Sequence, residues 1–357
     1  MKTTIKITTA ISALLVSSTA MGVTGIDRLK FTPKFIFETG NYAELLLAKA
    51  NPSVSPSFAD NANVAQDVNT VSFAYKHQFS DKFGLGLMVN TQPVGVDVDY
   101  SPLGSTLRGS VDSNSVIGLG HFKVTDNISL LGGFILRAQQ GSADSRALNP
   151  TLPDATTFQQ DTDVGYIFGA AYSIPKIALR VSLTYEEGLD FNHSTTVDSP
   201  SPIAGFSIGN TTSATPDTFL LEFQTGIAKN TLLFGHVRRA FWSDAQVFFL
   251  GNTQLSNFDN TTDYKLGIGR KFNDSFSGSV TLSYEADNDV PSSPFSPQDG
   301  ERGIAVGVKY TAKSGLATSL GVQYRELGDT VTTATSGSIP FQDNDVVTVG
   351  LKFSKSF

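Results

Sequence analysis

From residue 41 to residue 357 one pattern recurs, a stretch of about ten residues that alternates apolar with polar or small, followed by a break. Val71, Phe73, Tyr75, His77 and Phe79 alternate with Ser72, Ala74, Lys76 and Gln78, and Ile304, Val306, Val308 and Tyr310 with Ala305, Gly307, Lys309 and Thr311. A two-residue period puts successive side chains on opposite faces of a strand, so each stretch has one apolar face. The stretches are 41–50, 69–79, 82–91, 115–124, 127–139, 162–173, 176–186, 217–228, 230–241, 262–271, 275–285, 303–312, 316–326 and 346–357. Tight breaks (Ser80-Asp81, Thr125-Asp126, Ile174-Pro175, Lys229-Asn230, Asn273-Asp274, Ala312 to Gly315) take turns with long ones (51–68, 92–114, 140–161, 187–216, 242–261, 286–302, 327–345). Short periplasmic turns and long external loops give that alternation in outer-membrane barrels. The expected fold is therefore all-β, a 14-stranded antiparallel transmembrane β-barrel.

A soluble β-sandwich has strands of about five or six residues; these have the length a tilted strand needs to cross a bilayer. Tyr and Phe recur near strand ends (Tyr75, Phe79, Tyr172, Tyr185, Tyr284, Tyr310, Tyr324), where interfacial girdles belong. Val347, Val349, Leu351, Phe353 and the final Phe357 share one face, and a terminal aromatic on such a strand resembles the signal read by the barrel assembly machinery. No apolar run reaches the length of a transmembrane helix. The net charge of −7 with no basic patch argues against nucleic acid, and the absence of Cys removes thiol and disulfide chemistry. Lys2, Lys6, the apolar core Ile7 to Val16 and the small residues Ser18-Thr19-Ala20 read as a secretory signal over 1–22. Residues 23–40 remain for a short plug segment and 41–357 for the barrel.

The run from Pro216 through Phe219-Leu220-Leu221-Glu222-Phe223-Gln224-Thr225-Gly226-Ile227-Ala228, then Thr231 to Gly235 and Trp242-Ser243, resembles the FadL/TodX family. Gly25-Ile26-Asp27-Arg28 with Phe37-Glu38-Thr39-Gly40-Asn41-Tyr42-Ala43-Glu44 is similar to the start of a short-plug branch. The resemblance implies a bacterial outer-membrane transporter of long-chain fatty acids or hydrophobic aromatics, monomeric and surrounded by lipid and lipopolysaccharide. It also implies an inward kink in an early strand that opens a side gate to lipid, with Gly84, Gly86 and Pro93 as candidates. The family's Asn-Pro-Ala hatch motif is matched only by Asn51-Pro52-Ser53, which falls after the first strand and is expected in a loop. A general diffusion porin is the alternative function.

Parity along the strands places Lys76, Arg137, Lys265 and Lys352 on the inner face, together with Arg180, Glu222, His236, Arg238, Lys309 and Arg325. The last six are the candidate substrate-binding residues: Arg can hold a carboxylate through two parallel hydrogen bonds. Salt-bridged filling of a polar lumen is the structural alternative. Phe206 and the run Val247-Phe248-Phe249-Leu250 are apolar residues in long loops, and form either an access point for hydrophobic substrates or an inward-packed loop plug. Gly205-Phe206-Ser207-Ile208-Gly209 matches a hydrolase pattern but has no strand-to-helix elbow, so no catalytic residue is assigned. The four His have no metal-ligand spacing, and neither a metal nor a cofactor is expected.

Overall fold

The computed structural model describes residues 26–144, 146, 155–197, 209–249, 251, 253–288, 291–334 and 337–357. The signal stretch, Phe206, Leu250 and nearly all of the hydrolase-like motif lie outside these residues. Fourteen antiparallel strands build the wall: β1 Tyr42–Ser53, β2 Val68–Gln78, β3 Phe83–Thr91, β4 Arg108–Lys123, β5 Ile128–Asp144, β6 Thr156–Ile174, β7 Leu179–Glu186, β8 Thr218–Ala228, β9 Thr231–Ala240, β10 Thr261–Lys271, β11 Phe276–Glu285, β12 Glu301–Thr311, β13 Ala317–Leu327 and β14 Asp345–Ser356. Each pairs with its neighbours in sequence, and β14 closes on β1 from Tyr42 opposite Ser356 to Ser53 opposite Asp345. Closure leaves no free edge at the β1–β14 seam, which a bilayer would not tolerate. Asn41 and the terminal Phe357 exchange backbone hydrogen bonds of 3.2 and 2.9 Å at the seam.

The alternation becomes an outer and an inner surface. On β2, Val71 and Phe73 are exposed while Ser72, Ala74 and Lys76 are buried. Exposed aromatics mark two levels: Phe79, Phe83, Phe122, Phe272, Phe276 and Tyr310 near the short turns, Tyr166, Phe219, Tyr264, Tyr284 and Tyr324 near the long loops. Tyr264 on β10 and Phe272 immediately past its end are eight residues apart, roughly 20 Å along the normal at a rise of ~3.4 Å and a tilt of ~40°. Between them Leu266 and Ile268 are exposed on the outer face, as a lipid-facing belt requires, and Arg270 follows beside the short turn.

The strands run further outward than alternation indicates. β4 starts at Arg108, β5 continues to Asp144 and β6 starts at Thr156. Above the belt the outer face meets water, so Arg108, Ser110 and Asp112 need not alternate with apolar residues. Asn51-Pro52-Ser53, expected in a loop, belongs to β1: pairing with β2 stops at Ala50, and only β14 accompanies Pro52. A proline, lacking an N–H, is tolerated on such a one-sided stretch. Two further strands, Leu189–Val197 and Asn210–Thr215, form a hairpin above β6 and β8.

Candidate functional site

The chain enters the barrel before it builds it. Asp27 lies bridged to Val94 of the wall, and the segment then descends through the lumen to Tyr42. Three of its charged side chains meet charges of the inner face. Asp27 pairs with Arg238 at 2.6 Å, Lys30 with Asp263 and Glu285 at 3.1 and 3.3 Å, and Lys34 with Glu222 at 3.1 Å. Burial would lower the pKa of Lys30, but Asp263, Glu285 and Glu301 outweigh it and hold the ammonium above the ordinary lysine range. Thr32 starts a short 3-10 turn, Pro33–Phe37, accepting from the Lys34 amide and donating its hydroxyl to Glu222 at 2.9 Å. Phe35 and Ile36 of that turn are buried against Ala74, Met88 and Ile117. Gly86 makes the contact possible, since a Cβ there would overlap the Phe35 ring.

All six inner-face candidates point into the lumen, already engaged or buried. Arg238 holds Asp27 and reaches Asp263 at 3.7 Å; His236, beside it, bonds Asp263 at 2.8 Å. Glu222, opposite His236 in register, takes Lys34. Arg325 pairs with Glu301 at 2.9 Å and is fully buried. Arg180 lies over the Phe37 ring at 4.4 Å and donates to Gln224 at 3.1 Å, and Lys309 is buried on β12. Arg180 and Arg238 do not form one site: they face Gln224 and Leu220, four residues apart on β8, roughly 13 Å at ~3.3 Å per residue. The sequence reading left out the inward acids Glu44, Asp263 and Glu301. Parity with the outward Tyr264 marks Asp263, whereas Glu301 falls before the strand start assigned from alternation and Glu44 sits in the blurred first strand.

The wall is interrupted in β3. From Thr91 to Val96 the chain takes five steps while β4 takes three, Asn114 to Val111, a surplus of two residues. Gln92 turns through a left-handed conformation (φ 55°) and Pro93 has no N–H to offer a neighbour. Gly84 and Gly86, the other kink candidates, stay in regular strand. Toward β4 the break is stitched by Ser113, whose carbonyl accepts from Gln92 N at 2.7 Å and whose hydroxyl accepts from Val94 N at 3.1 Å. Toward β2, among the described residues, no backbone hydrogen bond joins 67–70 to 92–96; pairing resumes only where Gln66 meets Asp97 and Val64 meets Asp99. The N-terminal segment backs this break from inside, with Gly95 N donating to Ile26 O and Leu29 N to Pro93 O at 2.8 and 2.9 Å. A Cβ at Gly95 would lie 2.5 Å from Val111 O and 2.7 Å from the Arg28 guanidinium, so only glycine allows this approach.

An apolar cleft adjoins the break. Val94 and Val96 flank it, Val111 and Phe158 continue its wall, and Trp242, Val247 and Phe258 of the long external loop complete it. Val247 therefore lines a cavity, while Phe248 is half-buried and Phe249 is fully buried against Phe158; the loop run packs inward. No Lys, Arg, Asp or Glu lines the cleft among the described residues. Two further clefts carry charged residues: one has Asp27, Lys30, Glu285 and Glu301 in its lining, the other Lys34, Glu38, Glu44 and Lys352.

No family model and no curated protein matches this chain. Solved structures do. A FadL homologue of Pseudomonas aeruginosa superposes with a TM-score of 0.73 at 14% identity, over 96% of this chain and 95% of that one. The toluene transporter TodX of Pseudomonas putida gives 0.64 at 13% identity over 95% and 94%. The toluene transporter TbuX of Ralstonia pickettii gives 0.59 at 14% over 90% of each. At such identity the likeness is one of fold.

Proposed function

We propose that this chain, sharing its fourteen-stranded fold with transporters of hydrophobic compounds, is itself an outer-membrane channel for small hydrophobic molecules. Its substrate leaves sideways through the interruption in β3. The observation that carries this reading is that an apolar cleft is lined by Val94 and Val96, residues of the interrupted stretch that, among the described residues, lacks backbone pairing toward β2. A hydrophobic molecule loses nothing by passing from such a cleft into the lipid belt, whereas the charged lumen below would have to be desolvated around it. Val247 and Trp242 give access from outside, and Val94 and Val96 lead to the break.

The buried ion pairs of Asp27, Lys30 and Lys34 hold the N-terminal segment across the lumen, which speaks against a general diffusion porin with a wide wet bore. In this reading Arg238, Glu222, His236 and Arg325 position the plug and the wall, and a transported carboxylate is not their first partner. Residues 1–22 are the export signal, the barrel is inserted by the assembly machinery, and lipid and lipopolysaccharide surround the belt of a monomer. The resemblance to transporters favours transport over catalysis. Cells lacking their own hydrophobic-compound channels test the function. Expression should raise accumulation of radiolabelled ethylbenzene severalfold without raising leakage of a disaccharide. A sugar leak with a large steady single-channel conductance, and no gain for ethylbenzene, would instead identify a porin.

A further inference from the structure

Part of the apolar cleft is polar in a specific way. His193, Ser213 and Gln139 share its wall and form one chain of contacts. His193 Nδ1 lies 2.9 Å from the Gln159 carbonyl oxygen and its Nε2 3.0 Å from Ser213 Oγ, and Ser213 Oγ lies 2.5 Å from the Gln139 side-chain amide. The imidazole is itself buried between the rings of Phe191 and Phe158. Burial lowers its pKa, against smaller opposing effects of the Gln159 carbonyl and Asp161, so the neutral ring carries a single N–H.

Proton counting fixes the rest. The Gln159 carbonyl only accepts, which places the ring proton on Nδ1. Nε2 is then an acceptor, and the Ser213 hydroxyl donates to it. That hydroxyl has no second proton for Gln139, so the Gln139 amide must turn its NH₂ toward Ser213 Oγ; the two ends of an amide are interchangeable in shape. The carbonyl end of Gln139, a residue of the cleft lining, is then left without a partner in this chain of contacts. Because no cationic side chain lines the cleft among the described residues, a carboxylate there would be buried without a counter-charge, at a cost of several kcal/mol.

From this we infer that the cleft is a binding site for neutral molecules with an apolar ring or short chain and a single hydroxyl, which donates to Gln139. The inference rests on the channel reading above and narrows its substrate class. A featureless apolar cleft would rank ligands by hydrophobicity alone, with hydrocarbon first, ether next and alcohol last. The proposed site instead lifts the alcohol above the ether, since only the alcohol donates.

Trp242 is the sole tryptophan of the chain and lines the cleft, so its fluorescence reports occupancy. The full-length barrel in an alkyl detergent should be titrated with cyclohexanol, methoxycyclohexane, methylcyclohexane and cyclohexanecarboxylate, none of which absorbs in the tryptophan range. Cyclohexanol should bind at least fivefold more tightly than methoxycyclohexane, and Gln139→Leu should abolish that preference. Ser213→Ala, which frees the amide to turn, should weaken it; this variant serves if Gln139→Leu does not give a heat-modifiable barrel. Binding in order of hydrophobicity, unaltered by either variant, would overturn the hydroxyl site and leave the channel standing. Tightest binding by the carboxylate would also overturn it. Silence of Trp242 to all four ligands, together with failure of the ethylbenzene accumulation assay, would remove both.

Discussion

At the scale of single residues, the lumen is organised by charges that the chain supplies to itself. Asp27, Lys30 and Lys34 come from one short stretch and meet Arg238, Asp263, Glu285 and Glu222 from four strands. Taking one partner from a buried pair costs about 3–5 kcal/mol, because the other charge stays behind. In Asp27→Asn the cost falls toward the lower figure, since Arg238 keeps Asp263 within 3.7 Å. The variant should therefore keep its barrel but loosen residues 26–31. Hydrogen exchange of their amides is expected to accelerate by about a hundredfold or more (~3 kcal/mol), with the strand amides unaffected. Unchanged protection of 26–31 would show that the pair contributes nothing to holding the segment. These partners were partly legible in sequence. Strand parity located Glu222, Arg238 and Arg325 on the inner face, but it carries no information on which inward charge meets which. The acids at strand ends, Glu301 above all, lay beyond the alternation that defined the strands.

Among the elements, the short turn Pro33–Phe37 and the interrupted β3 matter most. The turn presents Phe35 and Ile36 to the β3 surface, and Gly86 is the vacancy that receives them. Gly86→Leu should expel the turn from its seat while β3 keeps its register. Planar-bilayer recordings should then show frequent open events that the parent barrel lacks; recordings indistinguishable from the parent would mean that the turn does not restrict the lumen. Every wall strand was legible in sequence, because a lipid-facing and a lumen-facing side impose the period directly, but β4, β5 and β6 run about five to seven residues further outward than alternation marks. The break was legible only at Pro93. Gly84 and Gly86 looked equally suited to a kink, but one small residue on an inner face can signal either backbone freedom or room for a neighbour. Here Gly86 provides room. The left-handed turn at Gln92 has no sequence signature, since glutamine is not a residue that favours it. The hairpin of 189–197 and 210–215 was hidden because strands above the membrane need no apolar outer face. His193 and Ser213 are on that hairpin, and for the same reason the hydroxyl site could not be read from alternation.

As a whole molecule, the barrel separates two environments inside one wall. The lumen is crossed by ion pairs, whereas the cleft beside β3 is apolar and is lined by Val94 and Val96 of the interrupted stretch. A transporter of hydrophobic molecules needs this separation, because a route through the charged lumen would oppose the substrate's own desolvation preference. The account depends on the two surplus residues in β3. Deleting Gln92 and Pro93 makes the count from Thr91 to Val96 equal to that from Asn114 to Val111, so the strand can run on without a break. The deciding measurement is the initial rate of ethylbenzene accumulation in cells expressing the deletion variant and the parent at equal amounts of heat-modifiable barrel. Exit through the break predicts a fall of more than tenfold for the variant. An undiminished rate in a correctly folded variant would contradict sideways exit and place the route elsewhere in the barrel.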